Sequence, residues 1–183
     1  MLEHCLPAVP ANESILCDQR ELQTLICSEV HKIIIDNPYQ AKLVSFQGYH
    51  SKLIPIAIAG IPSMHICLDY VPELLAQPDI AKQMFAVRLT ASLCEQYGVH
   101  KTFTMAKLCI STVVTLVGVL PARSVISNII PILPSINSMC QHMPVLYEDW
   151  LRLLAIFLPI FATYKDELEE MKQKPWSYSL TNS

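Results

Sequence analysis

The sequence predicts an all-α fold, a proline-punctuated set of antiparallel helices forming a HEAT- or armadillo-like array. Three observations carry that expectation. Apolar residues recur at helical spacing through most of the chain. Thirteen prolines interrupt these runs and mark helix boundaries every ten to twenty residues, a spacing that suits helix pairs of about 40 residues per unit. Only four glycines occur, and no Asn-Gly or Asp-Gly pair offers a hairpin turn for strands.

Residues 1–13 hold Pro7 and Pro10 without periodicity and read as a loose lead. Residues 14–164 read as one helical domain, and residues 165–183 as a charged helical extension with a polar tail. The first helix is expected over 14–35, with Leu22, Leu25, Ile26, Val30, Ile33 and Ile34 as its apolar stripe. Asp36, Asn37 and Pro38 stop it, because proline lacks an amide proton and restricts the residue before it. Asn37 then caps a short second helix that has Pro38 at its first position and Gly48 just past its end.

A third helical piece covers 52–59, and Ser63 is the expected N-cap of the next. Pro72 would crowd the carbonyl of Leu68 inside that helix, so a kink or break is expected between Asp69 and Pro72. Pro78 then opens the central helix. Over Asp79 to Tyr97 the apolar residues Ile80, Met84, Val87, Ala91 and Cys94 are widened by Ala86, Leu89, Leu93 and Tyr97. This leaves only a polar strip of Arg88, Ser92, Glu95 and Gln96. An apolar side that wide is expected to pack on two neighbours at once.

Beyond Gly98, Thr102 is the expected cap of a helix over 103–120, although Val113, Val114, Val117 and Val119 also suit a strand. Prolines 121, 131, 134 and 144 cut the following chain into short helices over 122–130 and 135–142. The last long helix is expected over 145–164. Its LYEDWLRLLAIFLPIF core is apolar on nearly every side after Arg152, and Pro159 is expected to bend it near Ala155.

Composition narrows the function classes. The chain of 183 residues suits one domain, with 52% hydrophobic residues and only 16% charged, against about a quarter in ordinary globular proteins. A net charge of −3 with no basic block argues against direct nucleic-acid binding, which needs clustered Lys and Arg. Seven scattered cysteines read as small buried hydrophobes of a reducing compartment. The uncharged runs 108–122 and 124–147 are too short or too interrupted by proline and amide side chains to cross a bilayer, so no membrane span is expected.

Catalytic strings are missing: no GxSxG, HExxH, phosphate loop or CxxC occurs. Cys27 and His31, His65 and Cys67, and Cys140 and His142 lie near one another in sequence, but zinc usually takes four ligands delivered as two close pairs. A Cys/His nucleophile pair would need a polar cleft, for which nothing in the sequence argues. Glu148 and Asp149 at a helix start favour the helix dipole more than acid and base chemistry. No catalytic residue, cofactor site or metal site is assigned.

What stands out is the excess of apolar surface, which usually means a protein partner. The candidate interface residues are Phe46, Tyr49, Tyr147, Trp150, Arg152, Phe157 and Phe161.

The string AGIPSMHICLDYVPELLAQP at 59–78, flanked by AKLVSFQGY at 41–49 and followed by PVLYEDW at 144–150 and KQKPW near the end, resembles the C-terminal region of the Integrator complex subunit 2 family. The likeness runs from about Cys17 to Trp176, leaving an unlike lead and an early stop at SYSLTNS. It implies a fragment or short copy of a large nuclear subunit whose partners are other Integrator subunits and, through them, RNA polymerase II. It also implies a non-catalytic scaffold role in small nuclear RNA 3′-end processing and transcription attenuation, with cleavage left to other subunits. The residues alone support, as the alternative, a free-standing helical adaptor of nucleus or cytoplasm that is unrelated to transcription.

Overall fold

A computed structural model describes residues 13–173, with side chains described for 16–165. Every regular element among the described residues is helical, as the spacing predicts. The α-helices are α1 (Glu13–Asp36), α2 (Tyr39–Gln47), α3 (Leu53–Gly60), α4 (Val71–Leu75), α5 (Ile80–Gln96), α6 (His100–Val119), α7 (Ala122–Ile129), α8 (Leu133–His142) and α9 (Tyr147–Gln173). Short 3-10 turns join α3 to α4, α7 to α8 and α8 to α9.

Local chemistry explains the boundaries. The Asn37 side chain accepts from the backbone N–H of Tyr39 at 3.2 Å, and Gly48 leaves α2 with a φ of 73°, a left-handed value that costs glycine nothing. The break expected before Pro72 falls at Tyr70, between a 3-10 stretch ending at Asp69 and the start of α4. The Asp79 carboxylate accepts from Ala81 N–H at 2.9 Å and caps α5, so the central helix begins at Ile80 and Pro78 lies outside it.

Two expected caps are corrected. Ser63 caps nothing: Pro62–Asp69 is a 3-10 stretch, and the Ser63 hydroxyl instead meets His31 Nδ1 at 3.0 Å across to α1. Thr102 sits inside α6, which starts at His100; its buried hydroxyl donates to the carbonyls of Tyr97 and Val99 and closes the α5–α6 turn from within. The strand alternative for 103–120 gives way to helix, because one face of α6, from Ala106 through Val117, is buried at helical spacing.

The core is built around α5. Its residues Ala86, Val87, Leu89 and Leu93 have no exposed surface, and it packs against α3, α4, α6, α7 and α8. That exceeds the two neighbours its wide apolar side requires. Helix lengths run from 5 to 27 residues, so the expectation of a HEAT-like array rests on proline spacing alone. By length and composition α6 is the one described helix that could cross a membrane, yet it packs against α4, α5, α7 and α9. An apolar core helix meets the same criterion.

The first helix also departs from expectation. Cys27 and Ile34 are its buried residues, whereas Leu22, Leu25 and Ile33 are 44%, 61% and 54% exposed. The cause is geometric: α1 has 24 residues, while α2 and α3, which it packs on, have 9 and 8 and cover only part of its apolar stripe.

Candidate protein interface

The last helix continues without a break from the expected domain into the charged stretch, running through Gln173 with Pro159 inside it. Its inner stripe, Trp150, Leu153, Ile156, Phe157 and Ile160, faces the core. Beside it runs a second stripe, Tyr147, Leu151, Leu154, Leu158 and Phe161, spaced 4-3-4-3. Tyr147, Leu151, Leu158 and Phe161 are 41%, 64%, 63% and 44% exposed. Apolar positions alternating three and four apart form the seam by which one helix packs along another. The stripes meet where the Phe157 and Phe161 rings stack, with centroids 6.3 Å apart. Only a narrow strip with Glu148 and Arg152 stays polar. Lys107 on α6 reaches Asp149 at 4.0 Å and ties the start of α9 to the bundle.

The candidate residues therefore separate. Tyr147 and Phe161 stand on the outward stripe, and Arg152 is exposed at its flank. Trp150 is half-buried on the inner stripe, and Phe157, at 5% exposed, offers a partner almost no surface. Phe46 lies half-buried beneath Lys42, whose ammonium is 5.5 Å from its ring and is held above its ordinary pKa by a 2.7 Å ion pair with Glu73. Tyr49 packs edge-to-face on Phe85, centroids 5.0 Å apart. Burial, with Cys67 close by, pushes its hydroxyl above the ordinary value, and that hydroxyl has no hydrogen-bond partner among the described residues.

Tyr49 borders a cavity of about 530 Å³ between α1, α2 and α3, where Val30, Ile33, Ile34, Val44 and Leu53 make the wall apolar. Sequence reasoning missed Leu151 and Leu158 as surface residues, because α9 is apolar over more than half its circumference. Their 4-3-4-3 spacing marks one stripe, but Trp150, Leu153, Phe157 and Ile160 repeat at the same intervals, so no local signal sets the outward stripe apart.

Among the described residues no three His, Cys, Asp or Glu side chains gather as a metal site. His65 meets the Pro62 carbonyl at 3.1 Å and His142 the Ser138 carbonyl at 2.8 Å, within their own turns. Burial pushes the thiols of Cys94 and Cys109 up to about 12 and that of Cys140 up to about 11. A nucleophilic cysteine acts as thiolate, and these stay protonated at neutral pH.

What the geometry defines, among the described residues, is an all-α fold whose long helices keep apolar faces beyond those its own core covers. Residues 1–162 match the family model described as Integrator complex subunit 2, and the chain belongs to that family. It is 42% identical over 178 residues to Integrator complex subunit 2 of Mus musculus and equally to that of Homo sapiens, covering 91% of this chain in each case. Over 142 residues, 78% of the chain, it is 47% identical to the Gallus gallus subunit. The chain spans 15% of the length of the mouse and human relatives. The family match includes residues 1–13, so the lead read as unlike the family falls within it.

Proposed function

We propose that this chain is a non-catalytic scaffold segment of an Integrator subunit, holding other subunits against the outward stripe of α9. The observation that carries this reading is the Tyr147–Phe161 seam: a regular, solvent-facing helix-packing surface on a helix whose other stripe is already committed to the core. Family membership supplies the partner class, other subunits of the Integrator complex, since the relatives bear that name. Through them the chain would sit in a nuclear, RNA polymerase II-associated assembly acting in small nuclear RNA 3′-end processing and transcription attenuation. Burial of the Cys94 and Cys109 thiols, which keeps them protonated at neutral pH, supports a holding role over a chemical one.

The test is Leu151→Asp with Leu158→Asp, made in the chain as it occurs in cells and followed by affinity recovery of Integrator subunits from nuclear extract. Expected is at least a tenfold loss of recovered subunits with the helical circular dichroism and melting temperature unchanged. Undiminished recovery would overturn the α9 reading. Recovery of the parent chain without any Integrator subunit or polymerase would favour the free-standing adaptor instead.

A further inference from the structure

The polar strip of the central helix forms the floor of a separate cleft of about 390 Å³, between the start of α3 and α8. Arg88, Ser92 and Glu95 lie along that floor, and Pro55 on one side and Pro131 and Pro134 on the other form its walls. The hydroxyls of Ser135 and Ser138 also border it.

Lys32, Lys42, Lys101 and Lys107 each have a carboxylate within ion-pair distance. By contrast, the half-buried Arg88 side chain has no hydrogen-bond or ion-pair partner among the described residues, and neither has Glu95. A guanidinium without a partner among the described residues, in a cleft bordered by serines, has donors to offer an acceptor of opposite charge.

The charge pattern selects the ligand. One guanidinium fork matches one carboxylate through two parallel N–H···O bonds. Glu95 lies two helical turns along the same strip, about 10 Å away at 1.5 Å per residue. Its negative charge disfavours a dianionic phosphate or a nucleic-acid backbone, both of which call for clustered cations. The same carboxylate attracts a base. Ser92 sits between the two charges with a hydroxyl for a neutral polar group. The proline rings fix the walls and present apolar sides to an aliphatic stem.

We propose that this cleft receives a protein partner's acidic side chain on Arg88, with a basic residue of the same partner segment set about 10 Å further along, on Glu95. It does not rest on the α9 face, and either can fail without the other.

The experiment places photoreactive p-benzoylphenylalanine at Ser138, and separately at Ser135 in case the first perturbs folding, in the full chain within its cellular assembly. Irradiation is followed by peptide mapping of the adducts. Expected is a peptide of another protein carrying Asp or Glu within a few residues of the crosslink. Arg88→Glu lowers the yield about tenfold, and reversing the mapped acid to Arg restores it. The melting temperature of Arg88→Glu stays unchanged, because Arg88 has no partner among the described residues to lose. Adducts lacking acidic residues, an RNA or phosphopeptide adduct, yield no greater than from a crosslinker at Lys32, or insensitivity to Arg88→Glu would each overturn the proposal.

Discussion

Gly60 at the end of α3 lies directly beneath Cys27 of α1: a Cβ at Gly60 would come within 2.5 Å of Cys27 Sγ and 3.1 Å of its Cβ. The two helices pack this closely because one of them has no side chain at the contact. Gly60→Ala gains up to about 1 kcal/mol from helix propensity and unfolded-state entropy. Overpacking costs about 1–3 kcal/mol and should win. Urea denaturation should show Gly60→Ala less stable than the parent. Adding Cys27→Ala should return part of the loss, a non-additivity expected of contacting residues. Additive effects of the two changes would show that the contact is not the cause.

The buried thiols predict an alkaline limit to stability. The folded pKa values of Cys94 and Cys109 are raised by burial from 9.0 to about 12. Well below pH 9 both are protonated folded and unfolded, so they leave stability independent of pH there. Between pH 9 and 12 the unfolded chain releases these protons while the folded chain holds them, so stability falls as pH rises. The slope approaches about 1.4 kcal/mol per pH unit per thiol. Denaturant midpoints at pH 8 and 10.5 check this, and Cys109→Ala should flatten the slope. In the same region Cys109 donates to Thr90 Oγ1 at 3.4 Å and Thr90 to the Ala86 carbonyl at 2.8 Å, so the thiol is also fixed in place.

The two stripes of α9 differ sharply in what truncation costs. Leu153 is fully buried, and Leu153→Ala should destabilise the chain by about 2–5 kcal/mol. Leu151, two residues away and 64% exposed, should tolerate Ala within about 0.5 kcal/mol. Equal effects in thermal denaturation would mean that the helix is turned differently about its axis.

Helix breaks were legible where they depend on neighbours in sequence: Asn37 and Pro38 end α1, and Pro72 lacks the amide proton that would carry a helix on from Leu68. What depended on distant chain was not. The Ser63 hydroxyl is taken by His31, thirty-two residues earlier, and is therefore lost as a cap. Thr102 has the chemistry of a cap but spends its hydroxyl on the preceding turn, which lets α6 begin at His100. For the candidate interface, sequence identified α9 as apolar on nearly every side but not which side faced inward. Phe157 and Leu158 are neighbours with opposite fates, 5% and 63% exposed, because the orientation of α9 is set by its packing on α6, α7 and α8. The outward Leu22 and Leu25 of α1 were read as core because nothing local reveals that α2 and α3 are too short to cover them.

The stacked pair Phe157 and Phe161 joins the inward stripe of α9 to the outward one across a single turn. Anything that clasps the exposed ring also braces the hidden one, so association and folding share one equilibrium. Bound chain should unfold at higher temperature in proportion to the logarithm of partner concentration. Cells that lack the companion would then clear the orphaned chain faster than cells that have it.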